Sequence, residues 1–205
     1  GRVLLSEFGS DIKNEARAYA AAASDARMSG CELPVVIVTG SGNQGITASV
    51  PVIRYAKHIG ASDERLYRAL LVSDLVTIHQ KTGIGRLSAY CGAVSAGCGA
   101  GAGIAYLLGG DYRAIAHTIV NAVAILSGTI CDGAKPSCAA KIASAVEAGI
   151  LGYYMYVNDQ QFRGGDGIVA KGVENTIRNV GLLASQGMKQ TDRVILNIMT
   201  GDQCL

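Results

Sequence analysis

The sequence predicts an all-α domain, a compact bundle of Gly/Ala-rich packed helices with at most one short strand. Three observations point there. Apolar residues recur at helical spacing along nearly every segment. The long uncharged stretch 87–110 is built of small residues rather than large apolar ones. Only PVVIVT, 34–39, has the apolar run of a strand, and one short strand makes no α/β sheet. The chain of 205 residues, 49% hydrophobic and 17% charged, suits a single domain, 1–205, with ample material for a core. A net charge of +2 is too small to draw in nucleic acid or a membrane surface.

The elements follow in order. The opening GRVLLSEFGSDIKNEAR is charged and helix-like, without the pattern of a signal peptide, and it lacks an initiator Met, as a processing or cleavage boundary would. SEFGSDIKNEARAYAAAASDARM, 6–28, is Ala-rich and amphipathic and reads as a helix. In GSGNQGITAS, 40–49, Gly42 and Gly45 are expected to turn the backbone sharply, and Ser41 or Asn43 to cap a helix starting near Gln44. Pro51 fits that helix only near its first turns or at a kink. ASDERLYRALLVSDLVTIHQKTG, 61–83, has Ser62 as N-cap and Glu64 in its first turn, and ends at Gly83. The uncharged 87–110 is 24 residues long, enough to span a membrane, yet seven are Gly and six are Ala. Small residues mark close helix packing in any solvent, and the next uncharged run, 114–131, carries His117 and Asn121. A buried helical pair is therefore expected rather than a membrane hairpin. Asp111 opens that second helix, and 138–157, 167–187 and 191–201 complete the set.

Two stretches point to chemistry. The helix start at 41–45 aims free N–H groups at the Ser-Gly-Asn loop and makes a small anion site, unless it is a plain capped turn. Ser-Gly-Asn-x-Gly also resembles the substrate-carboxylate loop of pyridoxal-phosphate enzymes such as cysteine synthase. Those enzymes alternate strands and helices around a Schiff-base lysine, which this chain does not, so the loop is expected to share the job without pyridoxal phosphate. The second stretch is GTICDGAKPSC, 128–138. The six cysteines (31, 91, 98, 131, 138 and 204) sit in a long, core-rich chain and suit reduced cytoplasmic thiols. Cys131 and Cys138 flank a loop with Gly133 and Pro136 that can turn both sulfurs toward one point. Their spacing does not match zinc pairs, whereas an iron–sulfur cluster tolerates it. A third ligand could come from Cys91 or Cys98, seven positions apart on one helix face. The alternative for each is a small buried hydrophobe, above all for Cys98 in GCGAGAG. That glycine run follows no strand and has no acidic partner, so it does not read as a dinucleotide fingerprint.

The run SGNQGI, then IHQKTGIGRLSAYCGAVSAGCGAGAGIAYLLGG, then GTICDGAKPSCAAKIASAVEAG, resembles the L-cysteine desulfidase group of the L-serine dehydratase alpha-chain superfamily. The resemblance implies an oxygen-sensitive [4Fe–4S] enzyme that needs no pyridoxal phosphate. It places the cluster ligands on Cys91, Cys131 and Cys138, and the substrate carboxylate on Ser41, Gly42, Asn43, Gln44 and Gly45. The implied reaction is β-elimination from L-cysteine to sulfide, ammonia and pyruvate, or from L-serine by the same route. Candidates for the base are His79 and Lys81, which otherwise read as the polar end of a helix, and Lys135, which otherwise supplies charge beside the cluster. A helix surface and a core position explain His58 and His117. Full-length members are about twice as long, so the chain corresponds to their C-terminal half, with the N-terminal half in cis or as a separate chain. Cys204 reads as a frayed tail or, as in related serine dehydratases, a plug on the open iron. A homodimer is expected. A non-catalytic helical scaffold, a fragment without activity alone, a zinc-bound domain and a small membrane protein are the competing readings.

Overall fold

The computed structural model describes residues 1–201, all of which run through helices and the loops between them. Cys204 lies outside the described residues. The order is α1 (Arg2–Phe8), α2 (Ile12–Met28), α3 (Gly42–His58), α4 (Asp63–Ile84), α5 (Gly92–Leu107), α6 (Tyr112–Leu126), α7 (Cys138–Val157), α8 (Val173–Leu182), a π-helical turn (Leu183–Gly187) and α9 (Lys189–Thr200). No strand forms among the described residues. PVVIVT is an extended loop with Val36 and Ile37 exposed; Val38 bridges to Ser41, and Val35 packs against the core. Its apolar residues have no neighbouring strand to pair with, so the run stays a loop.

The caps expected at Ser62 and Asp111 form, and Asp11, expected inside a helix, forms one as well. Asp11, Ser62 and Asp111 each accept a hydrogen bond from the backbone N–H three residues on. The expected helix over 6–28 is instead two, because Gly9 takes φ 83 and Asp11 starts a new cap. Pro51 lies well inside α3 rather than in its first turns.

The core is organised around α5, which packs against α3, α4, α6 and α7. Every glycine of GCGAGAG has a structural use. A Cβ on Gly97 would stand 2.3 Å from the Ala145 carbonyl oxygen of α7, and one on Gly99 would stand 2.4 Å from the Ser73 carbonyl oxygen of α4. Gly101 and Gly103 repeat the pattern one turn later, against Gly149 and Ala69. One glycine pair thus faces each neighbour, and backbones approach as side chains would forbid. Around this seam Ile104, Leu107, Val123, Ile142, Val146 and Ile150 are fully buried, each worth roughly 1.5–3 kcal/mol of burial. The uncharged stretch therefore makes a protein interior, and among the described residues no helix is long and apolar enough to cross a membrane. Buried Asn121 ties down the loop after α7, donating to the Gly152 carbonyl at 3.0 Å and accepting from the Phe162 N–H at 3.0 Å.

Candidate active site

Three helices begin at one place. α3 starts at Gly42, α5 at Gly92 and α7 at Cys138, and residues from all three starts line a single cavity of about 320 Å³. Each start presents N–H groups without intrahelical partners and the positive end of a helix dipole. Arg27, Lys81, Arg86 and Lys141 also line this cavity, and no carboxylate does. The cavity is built for negative charge. It opens into a wider cleft of about 780 Å³ past Thr39, Gly40 and Leu87.

The thiols reach it by backbone pairing. An isolated bridge joins Tyr90 to Ile130, with the Cys91 N–H donating to the Thr129 carbonyl at 3.2 Å and the Cys131 N–H to the Ala89 carbonyl at 2.6 Å. Two cysteines 40 positions apart are thereby held side by side. Cys138, at the first turn of α7, accepts from the Lys135 N–H at 3.5 Å through its sulfur. Cys91, Cys131 and Cys138 all line the cavity. Burial pushes the Cys91 thiol up, the Ala93 N–H and Lys141 pull it down, and Cys131 and Cys138 push it up further. Cys98 points elsewhere: it is buried in the core and its thiol is pushed up to about 12 by burial. Among the described residues, no three His, Cys, Asp or Glu side chains meet where a single metal ion could take them all. A cluster presents a separate iron to each thiolate, so its ligands surround a group larger than one ion. Three thiols lining one cavity, beside three helix starts and four cations, suit such an anionic group.

The Ser-Gly-Asn loop faces them, with a different internal logic from the expected one. The sharp turn is made by Thr39 (φ 50) and Gly40 (φ 95), not by Gly42 and Gly45, which are helical. Ser41 is the N-cap but makes no side-chain cap bond, and neither does Asn43. Asn43 accepts instead from the Arg27 guanidinium at 3.1 Å. Thr39 donates to the Gln44 side-chain oxygen in a short contact. Ser41, Asn43 and Gln44 line the cavity. Gly42 and Gly45 do not; a Cβ on Gly45 would stand 1.9 Å from the Val36 carbonyl oxygen, so its role is to let the 34–38 loop lie against α3.

The base candidates separate. Lys81 is buried, lines the cavity and donates to the Gly85 carbonyl at 2.8 Å. Burial holds its ammonium below the usual lysine range, opposed by the nearby Cys131 and Cys91. His79 lies on another face of α4, half-exposed and paired with Glu174 at 2.8 Å. Lys135 is spent on Asp132, whose carboxyl Lys135 and Lys141 hold at about 2. Sequence reasoning missed Arg27, Thr39, Arg86 and Lys141. Lys141, one turn after Cys138, carried a readable signal; Arg27 at the end of α2 carried none.

The fold thus encloses a cationic, thiol-lined cavity at three helix starts. The chain belongs to the serine dehydratase alpha chain family, whose sequence model matches residues 2–197. It is 69% identical to a UPF0597 protein of Desulfitobacterium hafniense (strain Y51) over 204 residues, covering 100% of this chain and 47% of that protein. UPF0597 proteins of Lachnoclostridium phytofermentans and Finegoldia magna are each 55% identical over 199 residues, covering 97% of this chain and 48% of theirs. The chain thus spans about half the length of these curated relatives. No solved structure matches it.

Proposed function

We propose that this chain is the cluster-binding part of a lyase that eliminates the β-substituent from a small L-amino acid. The substrate we assign is L-cysteine, giving sulfide, ammonia and pyruvate, with L-serine, the substrate class in the family's name, as the alternative. The carrying observation is the single cavity lined together by Cys91, Cys131 and Cys138, the start of α3 and Lys81. These thiols would hold a [4Fe–4S] cluster, which when bound supplies an iron with an open position to act as Lewis acid on the β-sulfur or β-hydroxyl.

The chain's own groups do the rest. The N–H groups of Gly42, Asn43 and Gln44, free by helix geometry, and the Ser41 hydroxyl receive the substrate carboxylate. Arg27 fixes the Asn43 amide that borders this position. Lys81, kept by burial nearer to its neutral form, accepts the α-proton at Nζ while the Cβ–S bond breaks. The aminoacrylate released becomes its imine and takes up water to give pyruvate and ammonia. No pyridoxal phosphate is required. The remaining half of the relatives' length is assigned to completing the site, in cis or as a separate chain.

Anaerobic reconstitution with iron and sulfide tests the reading, run on this chain and on the full-length Desulfitobacterium hafniense relative. The expected result is about four irons per chain with visible iron–thiolate absorption, both lost in Cys131→Ala, and sulfide release from L-cysteine. A full-length relative that takes up no iron would overturn the assignment. Pyruvate from L-serine without sulfide from L-cysteine would move the substrate to serine.

A further inference from the structure

A second cavity, of about 570 Å³, lies between the start of α6, the Gly-rich loop 163–172 and the start of α8. It has no residue in common with the thiol-lined cavity. Arg113, His117, Arg163 and Lys171 line it, and no carboxylate does. Among the described residues the side chains of Arg113, Arg163 and Lys171 make no ion pair and no hydrogen bond. The nearby acids are engaged elsewhere. Asp111 caps α6 at the Ala114 N–H, Asp166 accepts from the Arg163 N–H at 2.6 Å, and Glu174 pairs with His79 at 2.8 Å.

Three cations left uncompensated around one hollow attract an anion. The backbone adds to them. The first intrahelical bond of α8 runs from the Thr176 N–H to the Gly172 carbonyl, so the N–H groups of Val173, Glu174 and Asn175 have no helical partner. Gly172, the N-cap, takes φ 88 and lines the cavity, which keeps this approach free of a side chain. The His117 ring stacks on Tyr156 at 5.0 Å with its Nδ1 shut away from any partner. The hollow is too large for an inorganic anion alone, and Tyr112, Phe162 and Val120 give it apolar wall.

We infer that this cavity binds a small organic phosphate, the phosphate held by Arg113, Arg163 and Lys171 at the start of α8 and the organic body against Tyr112 and Phe162. The site is independent of the elimination chemistry proposed above.

Calorimetric titration of the chain at low ionic strength tests it, with adenosine 5′-monophosphate, adenosine and inorganic phosphate as probes. Saturable sub-millimolar binding of the monophosphate is expected, with weaker binding of phosphate and none of adenosine. Arg163→Gln and Lys171→Gln, both at exposed positions, should each weaken monophosphate binding roughly tenfold, whereas Arg86→Gln in the other cavity should leave it unchanged. The His117 ring resonances should shift on binding in the wild type. No saturable binding, binding indifferent to both substitutions, or binding lost in Arg86→Gln would each overturn the site. Adenosine binding as tightly as the monophosphate would remove the phosphate from the inference, and inorganic phosphate binding as tightly would remove the organic body.

Discussion

Replacing Gly149 by Ala sets two effects against each other. In an exposed helix the change stabilises by about 1 kcal/mol, because Gly loses more backbone freedom on folding. Here the added methyl would stand 2.2 Å from the Gly97 carbonyl oxygen and 3.1 Å from the Gly101 nitrogen. Both are main-chain atoms of α5, so no rotamer change relieves the contact. Ordinary contact begins at 3.4 Å, which requires α5 and α7 to part by over an ångström. That movement loosens the seam where Ile142, Val146 and Ile150 are buried. Overpacking against a rigid wall costs about 3 kcal/mol at the upper end of its usual range. The propensity gain leaves a net loss of about 2 kcal/mol. For a chain of this size that lowers Tm by roughly 4–8 °C. Urea unfolding should show a lower midpoint with an unchanged slope. Gly128→Ala is the control, since its methyl meets no atom within 4 Å and its φ lies in the ordinary range; stability should stay within about 0.5 kcal/mol. A Gly149→Ala protein as stable as the wild type, or a Gly128→Ala protein equally damaged, would refute close backbone packing as the reason for these glycines.

Further outcomes follow from the site. Lys81→Met, which keeps the buried stem and removes the ammonium, should cut turnover at least roughly a hundredfold while iron–thiolate absorption persists; retained turnover would move the base elsewhere. Arg27→Ala frees the Asn43 amide from its 3.1 Å bond and should raise KM for the amino acid roughly tenfold with a smaller change in kcat, read from anaerobic initial rates. His117 carries a pH signature. Burial, aided by Arg113, lowers its pKa below the usual value, so the folded state favours the neutral ring. The resulting stability is present above about pH 6.5 and lost as pH falls through the lower folded value. In phosphate-free buffer, thermal scans from pH 7 to 5 should show a decline that His117→Gln flattens; identical slopes would contradict the shift.

The helices were legible because their signals are local. Ser62 and Asp111 sit where caps belong, and α7 matches its apolar segment from Cys138 to Val157. PVVIVT misled because a strand requires a neighbour, and a run of six residues cannot show whether one exists. The Ser-Gly-Asn loop borders the thiol-lined cavity, but its glycines were misread, since a tight turn and a close approach leave the same letter in the sequence. His79 and Lys81 stand two positions apart and read alike as text; only the direction each leaves α4 separates a surface ion pair from a cavity wall.

By itself the sequence determined the helical class, the caps at Ser62 and Asp111, and the thiols and Ser-Gly-Asn loop that meet in one cavity, because propensity, capping and motif spacing act over a few residues. Only the tertiary structure decided that the starts of α3, α5 and α7 meet, that a two-residue bridge brings Cys91 beside Cys131, and that Arg27, Arg86 and Lys141 join them. Those contacts link residues far apart in the chain, and the core beneath them is packed through α5 glycines that let α4 and α7 approach its backbone.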